Sequence, residues 1–389
     1  MKSIRPYYAS RFFSEFILVY PFYLLILQQR GLSPATSGWL MAIWSFSVMA
    51  FEIPAGMVSD KANRKYVLIA AVIVKALAFL LWMPNWGFFA IAAGFVLWGL
   101  SESLNSGTEE AWLFETLASE GATEHYTRIR GKGQFFASMG IAMAAPAGGW
   151  LSRYGMGSVL LASMLSCIIA GITMLRFGNP PRTHGHLPAD RDESSPFRPG
   201  DLRKVWDAWR SHPVIIRMTL FSCLILIVAG VLDEWDPLML NSLGLSNTMI
   251  GVWITIRFTS ESLGAILSHR ADSILGSPRN MAFAAAGFAF PLLALGYFFN
   301  LAWLPAYCLF YFGYAMIAVQ LETRIQESTP GEWRASVLSF RSLLDNASGI
   351  ALILLSGYAI QIWGFSLVWI LAGTYAIVGS ISFLFFNRS

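Results

Sequence analysis

Residues 56–65 have the sequence GMVSDKANRK, a short charged segment between two long apolar runs. The preceding run, about 35–58, and the following run, about 66–84, are each long enough to cross a bilayer as a helix. Within the segment a glycine is followed by an acid and then by basic residues, which predicts a tight charged turn. The sequence therefore predicts a pair of membrane-spanning helices joined by this turn.

The same ten residues resemble the signature loop of the major facilitator superfamily, G-x-x-x-D-[RK]-x-G-[RK]-[RK], which joins the second and third helices in that family. The matching positions are Gly56, Asp60, Lys61, Arg64 and Lys65. Asn63 replaces the second glycine, and we expect it to keep the turn because asparagine tolerates a positive φ better than other non-glycine residues. The resemblance implies that this loop gates transport, and Glu52, just above it, is expected to act as a gating partner.

The composition favours a lipid environment for most of the chain. Hydrophobic residues make up 56% of it and charged residues 13%, and the mean hydropathy is +0.55. Twelve spans of roughly 20 residues would use about 240 positions and leave short loops. The pI near 9.0 does not indicate nucleic-acid binding, because the basic residues follow the loops.

No motif in the sequence indicates an enzyme or a cofactor site. A phosphate-binding glycine loop, a His-Glu-x-x-His pair and a Gly-x-Ser-x-Gly turn are all missing from the sequence. The three cysteines, Cys167, Cys223 and Cys308, lie in apolar runs, which is typical of small core residues rather than metal ligands. We therefore expect no enzymatic activity, no cofactor and no metal.

Twelve apolar segments are predicted to span the membrane. They are 7–28, 35–58, 66–84, 87–117, 133–153, 157–176, 214–240, 247–268, 280–299, 301–322, 336–358 and 361–386. Basic residues concentrate in the loops on the side of the N-terminus, and they include Lys61, Arg64, Lys65, Arg128, Arg130, Lys132, Arg270, Arg279, Arg324 and Arg334. Because cytoplasmic loops carry the excess of lysine and arginine, we predict a multi-pass inner-membrane protein with both termini in the cytoplasm.

The two halves of the chain repeat each other. Gly31-Leu-Ser in the first half returns as Gly244-Leu-Ser in the second, and Gly140-Ile-Ala returns as Gly349-Ile-Ala. The repeats run in the same order with an even number of spans between them, so we predict parallel repeats related by an axis along the membrane normal.

The predicted fold is an all-α membrane protein with twelve transmembrane helices in two parallel six-helix repeats, the architecture of the family that the sequence resembles. We place the first bundle at 1–176 and the second at 213–389. The hydrophilic connector, 177–212, is expected to carry a lateral amphipathic helix near 202–210.

Ionisable residues at bilayer depth in the first half are candidates for substrate or proton handling, because a charge in lipid is unfavourable. Arg11 and Glu15 lie one helical turn apart and can neutralise each other. The fourth predicted helix carries on one face Glu102, Asn105 and Glu109. Lys75 has no partner that the sequence identifies. These residues form either structural ion pairs or a site that exchanges a proton for a cation, and Glu109 is alternatively a solvated headgroup charge.

The second half contains a comparable set of charges. The seventh predicted helix ends in three acids, Asp233, Glu234 and Asp236. We expect Pro237 to break the helix there and expose the acids to a cavity. The alternative is an outer interfacial belt anchored by Trp235. Two further pairs are separated by one turn, Arg257 with Glu261 and Arg341 with Asp345.

The fifth predicted helix contains a run of small residues around a proline. The positions are Gly140, Pro146, Gly148 and Gly149. The run resembles the glycine-proline motif G-x-x-x-G-P-x-x-G-G of exporting antiporters in the same superfamily, although Ala145 replaces one glycine and others are shifted by one residue. Such a run favours close helix packing and a fixed kink. The resemblance implies export, whereas the fourth helix lacks the arginine that many exporters carry there.

Together these features predict a secondary transporter, a proton-coupled antiporter that exports a small amphipathic compound such as a drug-like molecule or a siderophore. Glu15, Glu102 and Glu109 would share proton and substrate binding with Arg11 as their electrostatic partner, and the signature loop would latch the cytoplasmic side. We expect a monomer whose partners are the substrate, protons and the bilayer. Two alternatives stay open: an importer working by symport or uniport, and a lipid flippase or receptor with a transporter fold.

Overall fold

The structure, a computed structural model, describes residues 4–180, 213–329 and 334–386. These residues form helices and no β-strand. The lateral helix predicted near 202–210 lies outside the described ranges. In chain order the helices are α1 Ile4–Glu15, α2 Tyr23–Gln29, α3 Pro34–Lys61, α4 Arg64–Trp82, α5 Phe88–Asn105, α6 Thr108–Ser119, α7 Tyr126–Leu151, α8 Met156–Leu175, α9 Pro213–Phe221, α10 Ile227–Ser242, α11 Asn247–Leu267, α12 Asp272–Leu275, α13 Pro278–Phe298, α14 Leu304–Ser328 and α15 Arg334–Phe386.

Nine helical segments in the described part of the chain are long and apolar enough to cross a membrane. One of them, 340–384, contains two predicted spans, because the backbone turns at Gly364, where φ is 78°. The remaining two predicted spans lie on the interrupted pair α1–α2 and on α7. Ten of the twelve predicted spans therefore fall on segments that are long and apolar enough to cross a membrane, whereas the first is interrupted and the fifth, on α7, lies outside that set.

The described residues divide into two compact units. The first unit comprises residues 4–32, 39–180 and 246–255, and the second comprises residues 33–38, 213–245, 256–329 and 334–386. In the first unit α4 packs on α5 and α8, and α1 packs on α7 and α8; in the second, α13 packs on α14 and α15.

Several spans are interrupted, and the breaks expose backbone groups inside the units. The first span is irregular at residues 16–22, where the Val19 amide donates to Ser163 Oγ at 3.0 Å. The fourth span breaks at Ser106–Gly107, and Gly107 has a φ of 66° that favours glycine. The seventh contains a π-helical turn, Ser222–Leu226. Non-helical backbone at membrane depth is tolerated where it is buried in protein or lines a cavity, so these breaks mark candidate sites.

Pro237 does not break its helix, contrary to the sequence prediction. Helix α10 continues through it from Ile227 to Ser242, and the irregular turn lies earlier in the same span. A proline removes one backbone hydrogen bond, which neighbouring packing can compensate. Here Pro237 is buried, and so is Trp235, whose indole Nε1 donates to Ser356 Oγ at 2.8 Å. Trp235 is therefore not an anchor in an interfacial belt.

Candidate transport and gating sites

The signature loop is held within the first unit by ion pairs and carbonyl contacts. Arg64 pairs with Glu115 of α6 and lies 3.8 Å from Asp60. Lys65 donates from Nζ to the carbonyl oxygens of Leu175 at 2.7 Å and Phe177 at 3.0 Å. A lysine at the end of a helix stabilises its unpaired carbonyls, so Lys65 fastens the last turn of α8.

Asn63 keeps the turn by a different means from the one that the sequence suggested. Its φ is −66°, not positive, and its side chain accepts a hydrogen bond from the Lys65 amide at 3.1 Å. Asparagine is a favoured N-cap, so the residue that replaces the family's glycine begins α4. Lys61 and Glu52 are exposed, as is the Asp60 side chain at 78%. These three side chains therefore lie at the surface.

Lys75 has partners that the sequence did not identify. Its Nζ lies 2.9 Å from Glu102 Oε1 of α5 and donates to Tyr20 Oη at 2.8 Å. The Trp98 indole also donates to Glu102, at 3.1 Å. Only 8% of the Lys75 side chain is exposed. The contact joins α4 to α5 and to the irregular segment 16–22, and sequence spacing could not reveal it because these residues are far apart along the chain.

Arg11 pairs across the bundle rather than with Glu15. Its Nη1 donates to Glu109 Oε2 at 2.5 Å, and Tyr7 Oη donates to Glu109 Oε1 at 3.0 Å. The predicted intrahelical pair with Glu15 does not form, because Glu109 offers Arg11 a direct contact from α6. Glu109 has side-chain exposure of 18% and is therefore not a solvated headgroup charge.

The acidic stripe predicted in the fourth span is divided by the break at residues 106–107. Glu102 lies in α5 and pairs with Lys75, whereas Glu109 lies in α6 and pairs with Arg11. Because the backbone is not helical between them, the spacing of seven residues does not put them on one continuous face. Asn105, the last residue of α5, lines a cavity at the break together with Glu109.

Glu15 differs from the other carboxylates of the first unit. It is the last residue of α1 and is partly buried, and among the described residues its carboxylate has no hydrogen-bond donor and no ion-pair partner. The charges that act on it belong to Lys75, Glu102, Arg11 and Glu109. The set has three carboxylates and two cations, so it carries an excess negative charge when all its members are ionised.

A second cluster, which we call the Arg257 cluster, lies in the second unit. Arg257 forms ion pairs with Asp233 of α10, with Asp236 at 3.5 Å and with Glu261 at 3.1 Å. Its guanidinium also lies 4.5 Å from the ring centroid of Tyr311. Asp233 and Glu261 are 44% and 42% exposed, whereas Arg257 is 5% exposed. The cluster therefore presents two half-exposed carboxylates around a buried cation.

Asp236 forms the buried base of this cluster. It is 0% exposed and accepts hydrogen bonds from Tyr307 at 2.8 Å and Tyr311 at 3.3 Å. Buried charges persist only when they are paired and hydrogen-bonded, and Asp236 has both kinds of partner. Glu234, which the sequence grouped with these acids, is partly buried.

Arg341 connects three elements of the second unit. It pairs with Glu322 of α14, lies 3.4 Å from Asp345 one turn along its own helix, and donates to Ser222 Oγ at 3.1 Å. Ser222 begins the π-helical turn of the seventh span. This group fixes the irregular turn against its neighbours.

The small residues of α7 allow its backbone to approach α1 and the irregular segment 16–22 closely. A Cβ added at Gly140 would lie 2.5 Å from the Phe12 carbonyl oxygen, and one at Gly148 would lie 2.6 Å from that of Leu18. Gly149 is similarly close to the backbone of Asn247. Glycine is therefore required at these positions by packing.

Pro146 removes a backbone hydrogen bond within α7. Since proline has no amide hydrogen, the Ala142 carbonyl loses its helical donor, and the Thr255 hydroxyl instead lies 3.3 Å from that oxygen. The same hydroxyl lies 3.0 Å from the Gly251 carbonyl oxygen of its own helix, so its single hydrogen is shared between two acceptors.

We expect Gly140→Ala to destabilise the protein by about 1–3 kcal/mol, because the added methyl group overpacks the α1–α7 contact. Gly157→Ala is the matched control, since no atom lies within 4 Å of a Cβ at that position. Denaturant unfolding in detergent would measure both variants. Equal stability of the two variants would contradict the requirement for close packing.

Comparison with known proteins agrees with this architecture. The Major Facilitator Superfamily sequence profile matches residues 7–235. No curated protein matches the chain significantly. Among solved structures, the chain is similar to the nucleoside transporter NupG, with a TM-score of 0.76, 14% identity and full coverage of both chains. It is also similar to a D-xylose-proton symporter, with a TM-score of 0.72, 12% identity and coverage of 98% of this chain and 96% of that one.

A further similar structure is a bacterial homolog to the human lysosomal transporter Spinster, with a TM-score of 0.71, 14% identity and coverage of 99% of this chain and 94% of that chain. At these identities the structural matches show a shared fold. The profile match extends over more than half of the chain, from the first helix to α10. The chain therefore belongs to the major facilitator superfamily, a family of membrane transporters rather than enzymes.

Proposed function

We propose that this protein is a proton-coupled antiporter that exports a small amphipathic compound with a positively charged group, either a cation or a zwitterion. Lys75, Glu102, Arg11, Glu109 and Glu15 form its coupling network. Substrate and proton would bind alternately, and alternating access would come from rocking of two helical bundles.

The observation that carries this proposal is the Glu15 carboxylate. It lies at the end of α1, beside two ion pairs, and has no direct partner among the described residues. An ionised carboxylate in a partly buried position is unfavourable without compensation, so a proton or a cationic group would stabilise it. A group that accepts either one can exchange them, which is what an antiporter requires.

The Arg257 cluster supports a cationic substrate. Its three carboxylates exceed its single arginine, and the excess charge lies on the half-exposed Asp233 and Glu261. A positively charged group of the substrate would compensate this charge. The 15 tryptophans and 29 phenylalanines of the chain suit an amphipathic or aromatic body.

Export is supported by the α7 motif. Gly140 and Gly148 allow the close backbone approach that the antiporter motif is expected to provide. In this proposal the loop at 56–65 faces the cytoplasm of an inner-membrane protein, and the exposed Asp60 and Lys61 latch that side during the cycle. The protein would act as a monomer.

Everted membrane vesicles with an acidic lumen would test the proposal, with ethidium as an amphipathic cationic probe. We expect uptake of ethidium into the lumen together with loss of luminal protons, because antiport moves the two in opposite directions. Dissipating the pH gradient with a protonophore should stop the uptake.

The direction of flux separates the alternatives. If preloaded probe leaves the lumen together with protons, the protein is an importer working by symport. If probe moves without any proton flux, the coupling proposal is wrong and uniport or lipid translocation takes its place. Vesicles without the protein provide the background.

A further inference from the structure

A small polar cavity lies at the break in the fourth span, within the first unit. Its volume is about 220 Å³, and its wall includes Asn105, Gly107 and the first turn of α6. No atom lies within 4 Å of a Cβ built on Gly107, so the space beside the break is open. The interruption of the helix therefore brings backbone to the edge of a cavity.

Two Arg–Glu ion pairs line the cavity at different depths. Arg11 and Glu109 form its floor, with side-chain exposures of 15% and 18%. Glu110 and Arg130 pair nearer the solvent, with exposures of 38% and 41%. A ligand in this cavity would therefore meet one arginine and one glutamate at each level.

The cavity also offers hydrogen-bond donors that are not fully used. No side chain caps the N-terminus of α6, and the unpaired amides of a first helical turn attract anionic groups. Gln134, whose Oε1 accepts from Arg11 at 3.4 Å, adds an amide group to the wall.

We propose that this cavity binds a small zwitterion, with its carboxylate on the arginines and its ammonium group on the glutamates. A singly charged ligand would separate an Arg–Glu pair and leave one member uncompensated, which is unfavourable. A zwitterion replaces both partners at once. The volume is below the range of about 300–1,000 Å³ typical of drug-sized pockets, so the ligand has the size of an amino acid.

The identification of this zwitterion as cargo, or as the polar end of the cargo, rests on the proposed transport function. Binding itself does not, because it requires neither a pH gradient nor a conformational cycle. If the vesicle assay shows no proton coupling, the zwitterion can still bind in the titration. If the zwitterion does not bind, the vesicle assay still decides whether transport is coupled to protons.

Calorimetric titration of the purified protein would test the site with 3-aminopropanoate, 4-aminobutanoate and 6-aminohexanoate as probes. Butanoate and butylamine are the singly charged controls. We expect at least one zwitterion to bind and the controls to bind roughly tenfold more weakly or not at all, because each lacks one charge-assisted contact.

The variants Glu110→Gln and Arg130→Gln should each weaken zwitterion binding by about tenfold, since each removes one charge of the pair nearer the solvent, at the mouth of the cavity. Both residues are about two-fifths exposed, so neither change is expected to unfold the protein. Arg324→Gln is the matched control, because it removes an arginine paired with Asp272 in the second unit. Binding should be unchanged there.

Three results would overturn the proposal: no zwitterion of the series binds, butanoate or butylamine binds as well as the zwitterions, or the mouth variants bind as tightly as the unmodified protein. A thermal unfolding curve for each variant would show that the protein used in the titration is folded.

Discussion

We expect Glu15→Gln to abolish substrate-induced proton release from the purified protein. The amide has the shape of the carboxylate but cannot exchange a proton, and Glu15 is the carboxylate that lacks a direct partner beside the two ion pairs of the first unit. Substrate binding should be weaker but still measurable, because Glu15 loses its charge whereas Glu102, Glu109 and the Arg257 cluster are unchanged. Proton release on adding ethidium, followed with a pH indicator in weak buffer, measures the effect.

Glu124→Gln serves as the control for this experiment. Glu124 lies in the short turn before α7, and its side chain is 66% exposed. We expect this variant to release protons like the unmodified protein. Proton release retained by Glu15→Gln would show that another carboxylate carries the proton, and Glu109→Gln would then be the next variant to measure.

The second large effect is expected for Lys75→Met. This change leaves Glu102 without its cation, and breaking a buried ion pair from one side costs about 3–5 kcal/mol. We expect the free energy of unfolding to fall by about 3 kcal/mol, the lower end of that range, because the Glu102 side chain is 33% exposed and water can partly solvate it. The free energy of unfolding in mixed micelles measures the loss.

The double variant Lys75→Met/Glu102→Gln separates lost charge pairing from lost packing. Removing both charges also removes the unpaired carboxylate, so most of the stability should return. Lys132→Met is the control for loss of a lysine, because Lys132 is exposed. If the double variant is as unstable as Lys75→Met alone, the ion pair is not the source of the stability.

The fold was accessible from the sequence because its signals are local. The apolar runs and the charged turn at 56–65 depend only on neighbouring residues. In lipid every backbone polar group must be satisfied within the protein, so a long apolar run has few alternatives to a helix. Ten of the twelve predicted spans fall on long apolar helices for this reason.

The pairing of charges was not accessible, because it depends on distant parts of the chain. The one-turn pairs Arg257–Glu261 and Arg341–Asp345 are present, whereas Arg11 takes Glu109 instead of Glu15. Sequence spacing identifies partners on one helix, but it does not show which neighbouring helix offers a closer carboxylate. Sequence spacing also failed to identify Glu102 as the ion-pair partner of Lys75, for the same reason.

The interruptions of the helices were also hidden. Pro237 suggested a break where α10 is continuous, and the break at Ser106–Gly107 divides an acidic stripe that spacing had placed on one face. A proline or glycine marks a position where the helix is weakened, but the surrounding packing and hydrogen bonds decide whether it ends there.

The sequence by itself thus determined the membrane environment, the helical spans, the family resemblance and the set of ionisable residues that membrane depth makes significant. Only the tertiary structure decided which of these charges neutralise each other, and that Glu15 has no direct partner among the described residues. The physical reason is the distance over which each property is set. Hydropathy and helix formation depend on residues that are close along the chain, whereas an ion pair requires two side chains to be within about 4 Å in space, wherever they lie in the sequence.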